Sequence, residues 1–149
     1  MRLHHLLILL LSTAVATAQQ NEKQTLGQLK ESTSGQRIIW FLNQVLEGNS
    51  VDEGEIRKHF SEKLIEKVGA DKLADMITQL SADQGVLYLY KAVRKTETEY
   101  QLMVKGKKTG EWFDMAFYFT PNDLITGIAI DSSIAEVAVD RPIYPLENN

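Results

Sequence analysis

The sequence predicts an α+β domain in which about three N-terminal helices pack on a curved four-stranded antiparallel sheet. Apolar residues recur at three-to-four spacing between residues 36 and 80, as they do on one face of a helix. From Gly85 onward the spacing becomes two, which is the period of a strand with one buried face. Helices with an apolar stripe and a sheet with one apolar face bury each other, and this gives two layers.

The first eighteen residues have the pattern of a secretory signal peptide. Arg2 precedes an apolar run from Leu6 to Leu11, and Ala16-Thr17-Ala18 has the small residues of a cleavage site. We therefore expect an exported product, periplasmic or secreted, whose mature chain begins at Gln19. The chain contains no cysteine and so no lipobox thiol, which predicts that it has no membrane anchor.

The expected mature chain divides into a leader, one domain and a tail. Residues 19–34 are polar and poor in aromatic side chains, a composition that favours a flexible leader. Residues 35–133 contain the helical and strand-like patterns of the domain. Residues 134–149 form a C-terminal tail that is interrupted by prolines.

Three helical segments are predicted at the start of the domain. The first runs from Gln36 to a glycine at position 48. Ser50-Val51-Asp52-Glu53 then has the spacing of a capping box, and the helix after it is expected to break near Ser61. The third helix covers Ala70 to Leu80, with its apolar residues on one face.

Four strand-like runs follow, and short polar gaps between them predict an antiparallel meander. The runs are Val86–Arg94, Glu97–Lys105, Glu111–Thr120 and Leu124–Asp131. In the third run, alternate residues divide between a core face (Phe113, Met115, Phe117, Phe119) and the opposite face (Trp112, Asp114, Ala116, Tyr118). We expect the helices to cover the phenylalanine face.

Charge and composition disfavour several classes of function. The net charge is −4, and removal of Arg2 with the signal peptide leaves 15 basic and 20 acidic residues, or 15 − 20 = −5. An acidic chain is a poor partner for nucleic acid or for an anionic membrane surface. The acidic run Asp52–Glu55 lacks the alternating oxygen ligands of a calcium loop and fits a helix start. We expect no metal and no cofactor.

Two sequence features resemble parts of catalytic sites. Lys108-Thr109-Gly110 copies the K-T-G triplet of penicillin-binding enzymes, but no Ser-x-x-Lys accompanies it, and its position favours a hairpin turn. His59 is the sole imidazole after the signal peptide and has no nucleophile or orienting carboxylate at a motif spacing. We interpret it as a partly exposed helix residue, and we assign no catalytic residue.

The candidate binding residues lie on the face of the sheet that is opposite the phenylalanines. An aspartate at the centre of a strand is unusual, and it alternates with aromatic residues as in an interaction surface. The alternatives are an acid-base role for the aspartate and simple cross-strand pairing of the aromatics. The predicted residues are Tyr88, Tyr90, Trp112, Asp114 and Tyr118.

Helices followed by a meander are the order of elements in the nuclear transport factor 2-like superfamily, which includes the SnoaL-like and steroid-isomerase-like proteins. This chain resembles that superfamily in this order and in the residues of its last strand, Asp123-Leu124-Ile125-Thr126-Gly127-Ile128. The stretches Ser34–Leu42 and Ile56–Phe60 are similar to one group in particular. This group is the N-terminal domain of secreted Cpe/LpqF-type serine hydrolases, such as the open-reading-frame-twelve product of the clavulanic acid cluster. The resemblance implies a cone-shaped domain.

In those hydrolases the accessory domain precedes a β-lactamase-like catalytic domain, whereas this chain stops shortly after Leu146. The resemblance therefore implies an exported, non-catalytic binding or accessory module that works with a separate serine hydrolase. It is expected to bind through either the pocket between helices and sheet or the opposite face of the sheet. A small-molecule isomerase or cyclase of the steroid-isomerase type stays open as the alternative. The binding partner also stays open between a protein and a small apolar ligand. A homodimer formed through the sheet face is a further open alternative.

Overall fold

The computed structural model describes residues 22–133 and 141–145. The predicted signal peptide at 1–18 lies outside these residues, as do the start of the predicted leader and most of the predicted tail. The elements are β1 (Glu22–Lys23), α1 (Leu26–Glu31), α2 (Thr33–Glu47), α3 (Glu53–His59), α4 (Glu62–Val68), α5 (Ala70–Gln84), β2 (Leu87–Thr96), β3 (Glu99–Gly106), β4 (Trp112–Phe119) and β5 (Ile125–Ser132). The α+β class is confirmed.

The described residues form five helices instead of the three that periodicity predicts. The predicted second helix is divided into α3 and α4 because the backbone is extended at Phe60 and Ser61. At this point the Ser61 N–H donates to the Ile125 carbonyl at 2.8 Å, which connects the helical layer to β5. The Ser61 side chain then accepts from Leu64 N–H and caps α4. The expected break near Ser61 is confirmed.

The start of α3 corrects the predicted capping box at Ser50. The residue directly before the helix is Asp52, and its carboxylate accepts the Gly54 N–H at 2.6 Å. A carboxylate at a helix N-terminus is also favoured by the helix dipole. Glu53 and Glu55 in the first turn contribute in the same way.

The structure corrects the flexible leader expected at 19–34, because described residues within this range form β1 and α1. The Thr25 side chain accepts from Gln28 N–H, and the Gln28 side chain accepts from Thr25 N–H, so α1 begins with a full capping box. Leu29 is 0% exposed and belongs to the core. The folded unit therefore begins before residue 35.

The sheet is antiparallel with the strand order β1-β2-β3-β4-β5. The four long strands match the predicted runs to within two residues at each end. The register places Met103 on β3 between Lys91 on β2 and Asp114 on β4, and Asp114 lies opposite Asp131 on β5. A bulge between Leu89 and Lys91 shifts this register by one residue along β2.

The helices cover one face of the sheet, which we call the inner face, and its side chains form the core. Phe113, which was expected in the core, is only half-buried because it lies at the end of β4 opposite exposed Ser132. The buried inner-face residues are Leu87, Leu89, Ala92, Tyr100, Leu102, Val104, Met115, Phe117, Phe119 and Ile125.

The described C-terminal residues 141–145 return to the sheet beside β2. Leu89 N–H donates to the Tyr144 carbonyl at 2.6 Å, and Ile143 N–H donates to the Leu89 carbonyl at 2.6 Å. The Tyr144 hydroxyl donates to Asn43 Oδ1 on α2. None of the helices that the structure describes has the length and apolar character needed to cross a membrane.

Candidate binding face of the sheet

The second face of the sheet, which we call the outer face, carries all five predicted site residues. Alternation along β4 turns Asp114 and Tyr118 away from the buried side chains of Met115 and Phe117. Tyr118 is 41% exposed, whereas Phe117 is 0% exposed. The predicted division of β4 into a core face and an opposite face is therefore confirmed. The outer face comprises Tyr88, Tyr90, Lys91, Val93, Lys95, Glu99, Gln101, Met103, Lys105, Trp112, Asp114, Ala116, Tyr118, Gly127, Ala129 and Asp131.

Aromatic residues gather at one end of the outer face. The rings of Tyr90 and Trp112 have centroids 4.7 Å apart, and the bulge in β2 allows Tyr90 to reach across β3. The Lys105 ammonium lies 5.2 Å from the Trp112 ring centroid, within the range of a cation–π contact. Tyr88 lies opposite Lys105 in the sheet. All four side chains are partly exposed, so their rings and the ammonium present a mixed aromatic and basic surface.

Asp114 and Tyr118 lie farther along the face and share a shallow depression. The depression has a volume of about 350 Å³, and Gln101, Ala129 and Asp131 also line it. Asp114 is exposed, with Met103 opposite it on one side and Asp131 on the other. Trp112 lies outside this lining. The structure therefore divides the five predicted residues between an aromatic end and an acidic depression.

The outer face does not shield Asp114 from water, although Asp131 lies opposite it on the neighbouring strand. A carboxyl group that transfers a proton near neutral pH is usually shielded from water or placed beside another charge that shifts its pKa. Asp114 is solvent-exposed, and among the described residues no Asp or Glu is buried. The described residues also hold no group of three or more His, Cys, Asp or Glu that could bind a metal ion.

The buried hydroxyl of Tyr100 has hydrogen-bond partners within the core. Tyr100 is 0% exposed, and its hydroxyl accepts from Ser34 Oγ at 3.2 Å and lies 3.4 Å from Ser32 Oγ. The Tyr100 ring packs edge-on against Phe119 at 5.8 Å. These contacts connect the start of α2 to the centre of the sheet. They hold the two layers together and leave the Tyr100 hydroxyl bonded within the fold.

His59 has partners that no sequence motif indicates. It is the last residue of α3, its ring stacks on Trp40 at 3.8 Å, and its side chain is only 18% exposed. Arg37 Nη1 donates to His59 Nδ1 at 3.1 Å and to the Lys58 carbonyl at 2.7 Å. Since arginine cannot accept, Nδ1 is the unprotonated nitrogen of the ring. The interpretation of His59 as a partly exposed helix residue is confirmed, and the structure adds partners that motif spacing did not predict.

Burial, together with the Arg37 guanidinium, lowers the pKa of His59 to about 4, and Glu55 opposes this shift from 3.7 Å. The neutral ring accepts from Arg37 and stacks on Trp40, which both belong to α2, so it acts as a structural link between α2 and α3. The sequence spacing indicated part of this arrangement, because Arg37 and Trp40 share a face of α2, and Glu55 and His59 share a face of α3. Their meeting depends on how the helices pack.

The K-T-G triplet forms a hairpin turn, as predicted. Gly110 has φ +73°, and its N–H donates to the Gly106 carbonyl at 2.9 Å. Lys108 Nζ donates to the Ala82 carbonyl at 2.8 Å, in the last turn of α5. A lysine in this position satisfies a helix-terminal carbonyl and complements the dipole. Through Lys108, the triplet connects the β3–β4 turn to the C-terminal end of α5.

Comparison with known proteins shows that the family model described as ORF 12 gene product N-terminal matches residues 29–120. This range covers more than half of the chain and extends from α1 to the end of β4. It includes both stretches, Ser34–Leu42 and Ile56–Phe60, on which the resemblance was based, and these stretches meet at the contact between Trp40 and His59. Neither the curated proteins nor the solved structures that were compared contain a match. The chain belongs to the ORF 12 gene product N-terminal family.

Proposed function

We propose that this chain is an exported, non-catalytic binding or accessory module that acts on a protein partner through the outer face of its sheet. We also propose that it is a member of the nuclear transport factor 2-like superfamily. Membership of the ORF 12 gene product N-terminal family supports an accessory role, because the description names the N-terminal part of a larger product.

The two-sided sheet is the observation that carries this proposal. Its inner face is filled by apolar side chains that are 0 to 4% exposed, so chemistry in the interior would have to displace the core. Its outer face combines aromatic rings, a basic side chain and a shallow acidic depression. Mixed aromatic and polar surfaces of this kind are typical of protein interfaces.

A separate serine hydrolase is the partner class that we propose. This choice rests on the resemblance to Cpe/LpqF-type hydrolases, in which a domain of this kind accompanies a β-lactamase-like catalytic domain. In this proposal the hydrolase supplies the nucleophile. The module contributes a docking surface, because its own K-T-G triplet is a turn.

Binding to a secreted serine hydrolase encoded beside the chain would test the proposal. Trp112→Ala and Tyr118→Ala should each weaken binding by about 2 kcal/mol, or about thirtyfold in Kd, as expected for central interface aromatics. Leu46→Ala is the matched control, because Leu46 is 40% exposed but lies on α2 in the helical layer. It should leave Kd unchanged.

The same proteins test the isomerase alternative. His59→Ala should leave hydrolase binding nearly intact, because His59 lies in the helical layer on α3 and not on the outer face. Asp114→Asn tests catalysis, since it removes the carboxylate that the isomerase alternative requires. Turnover of ketosteroid-like substrates by the wild type that disappears in Asp114→Asn would overturn the non-catalytic assignment. If Trp112→Ala and Tyr118→Ala bind the hydrolase as tightly as the wild type does, the outer face is not the binding surface.

Export has its own test. Mass spectrometry of the protein released by its native host should find Gln19 at the N-terminus, because signal peptidase cleaves after small residues such as those at 16–18. Recovery of the full-length chain from the cytosol of that host would contradict export while leaving the binding proposal intact.

A further inference from the structure

The two edges of the sheet differ in how they are paired. The β2 edge is covered by short extended segments of the same chain, because β1 pairs with its second half and residues 141–145 pair with Leu89. At the β5 edge, the segment between α3 and α4 bridges Ile125, the first residue of the strand. No other backbone pairing of this edge occurs among residues 22–133 and 141–145.

The register shows which backbone groups of β5 point outward from the sheet. Ser133 N–H donates to the Trp112 carbonyl at 2.9 Å, so Ser132 belongs to a pair of the kind that exchanges no hydrogen bonds with β4. The two kinds of pair alternate along antiparallel strands. Ile128, Ile130 and Ser132 therefore direct their N–H and C=O groups away from β4, and three donors and three acceptors line the edge.

The sequence of β5 lacks the features that usually protect an edge from pairing. Natural edge strands are often very short, or carry lysine or proline. β5 has eight residues and contains neither lysine nor proline. Ile130 is 37% exposed although it lies opposite buried Met115, so the helical layer does not fully cover the inner side of this edge. The described residues thus leave the edge along Gly127–Ser132 accessible to another chain.

We infer that the β5 edge binds an extended polypeptide segment of a partner by strand addition. In this mode the backbone of the added segment bonds to the outward groups of the edge, and its alternate side chains determine which sequences fit. The four long strands pair antiparallel, and the added segment continues this pattern beside β5. This site lies at the edge of the sheet and is separate from the docking surface proposed above on the outer face.

The side chains of β5 indicate the kind of segment that fits. On the inner side, apolar residues of the added strand lie beside Ile128 and Ile130 and bury the exposed part of Ile130. On the outer side, the added strand lies next to Ala129 and Asp131. Asp131 faces the like charge of Asp114, and the side-chain ion pairs of the described residues lie on α3, so a basic residue here gives Asp131 an opposite charge. The segment is therefore apolar at alternate positions and basic between them.

Calorimetric titration of the protein with synthetic peptides tests this inference. The probe alternates valine and lysine, is as long as β5 and is blocked at both ends. In antiparallel addition a residue bonded to Ile130 shares its face, so the valines direct their N–H groups to β5. A peptide with N-methylated valines should bind at least about tenfold more weakly, because it loses several hydrogen bonds. The matched control has N-methylated lysines, whose methyl groups point away from β5, and it should bind like the unmodified peptide.

Two substitutions test the edge from the side of the protein. Ile130→Pro removes an outward N–H and no bond to β4, a position at which edge strands tolerate proline, and it should weaken binding of the unmodified peptide at least about tenfold. Asp131→Lys should weaken binding of the valine–lysine peptide and strengthen binding of a valine–glutamate peptide. Trp112→Ala, at the aromatic end of the outer face, should leave peptide binding unchanged. Far-UV circular dichroism and urea midpoints establish that each variant is folded, and the charge exchange at Asp131 tests the edge even where proline disturbs the strand.

Equal binding of the two methylated peptides would overturn the inference, as would a peptide that does not bind the wild type up to about 1 mM. Folded Asp131→Lys with the peptide preference of the wild type would also overturn it. Pairing of β5 edges from two copies would make peptide affinity fall as protein concentration rises, and would exclude a partner segment as the occupant. Hydrolase binding by the same variants is a separate result: Trp112→Ala tests the outer face, and Ile130→Pro tests the edge.

Discussion

Truncation of Phe117 to alanine should be among the most destabilising single changes in the sheet. The side chain is 0% exposed, packs edge-on against Phe41 with ring centroids 5.2 Å apart, and stacks on Phe119 at 6.4 Å. Removing a buried phenylalanine costs about 3 to 5 kcal/mol from lost transfer energy and the cavity left behind. Because Phe117 connects α2 to the centre of the sheet, we expect the upper part of this range.

Tyr118 is the matched control, since it is the next residue on the same strand. Tyr118 is 41% exposed on the outer face, so Tyr118→Ala should cost less than about 1.5 kcal/mol. Urea unfolding at pH 7 and 25 °C measures both values, and equal slopes of free energy against urea would show that the denatured states are comparable. Equal destabilisation by the two substitutions would refute the assignment of the inner and outer faces.

Two further predictions concern the helical layer. Gly35→Ala should destabilise the domain in urea melts, because a Cβ at Gly35 would lie 2.1 Å from the Leu29 carbonyl oxygen. Gly27→Ala is the control: a Cβ there meets no atom closer than 3.7 Å, so this substitution should stabilise the domain by up to about 1 kcal/mol. Equal effects would mean that α1 does not pack against α2. His59 has a folded pKa of about 4 against 6.5 unfolded, so stability should fall as the pH drops from 7 to 4. The loss of unfolding free energy is at most about 3 kcal/mol, and the partial exposure of His59 reduces it to about 1 to 2 kcal/mol. The control is His59→Gln: a wild type whose urea midpoint shifts with pH no more than that of His59→Gln would contradict the prediction.

The sequence predicted those features whose cause lies within a few residues along the chain. Helical spacing in α2 and α5 and alternation in β4 place apolar side chains on one face of each element, and burial of that face fixes the element. The hairpin at Lys108-Thr109-Gly110 could also be predicted from the local sequence, because Gly110 supplies the positive φ that the turn requires. Compartment, partner and activity remain predictions from the signal-peptide pattern and the family resemblance.

Tertiary structure decided what depends on residues far apart in the chain. The polar segment before residue 35 is folded because Leu29 reaches the core. The sequence predicted the break near Ser61, but only the fold shows that the Ser61 N–H binds the Ile125 carbonyl there. The link between His59 and Arg37 joins two helices. The alignment of Lys91 with Met103, Asp114 and Asp131 across the outer face depends on the register that the β2 bulge sets, so alternation within one strand could not reveal it. Local sequence fixes which face a side chain occupies, but only packing and register fix which other side chains it meets.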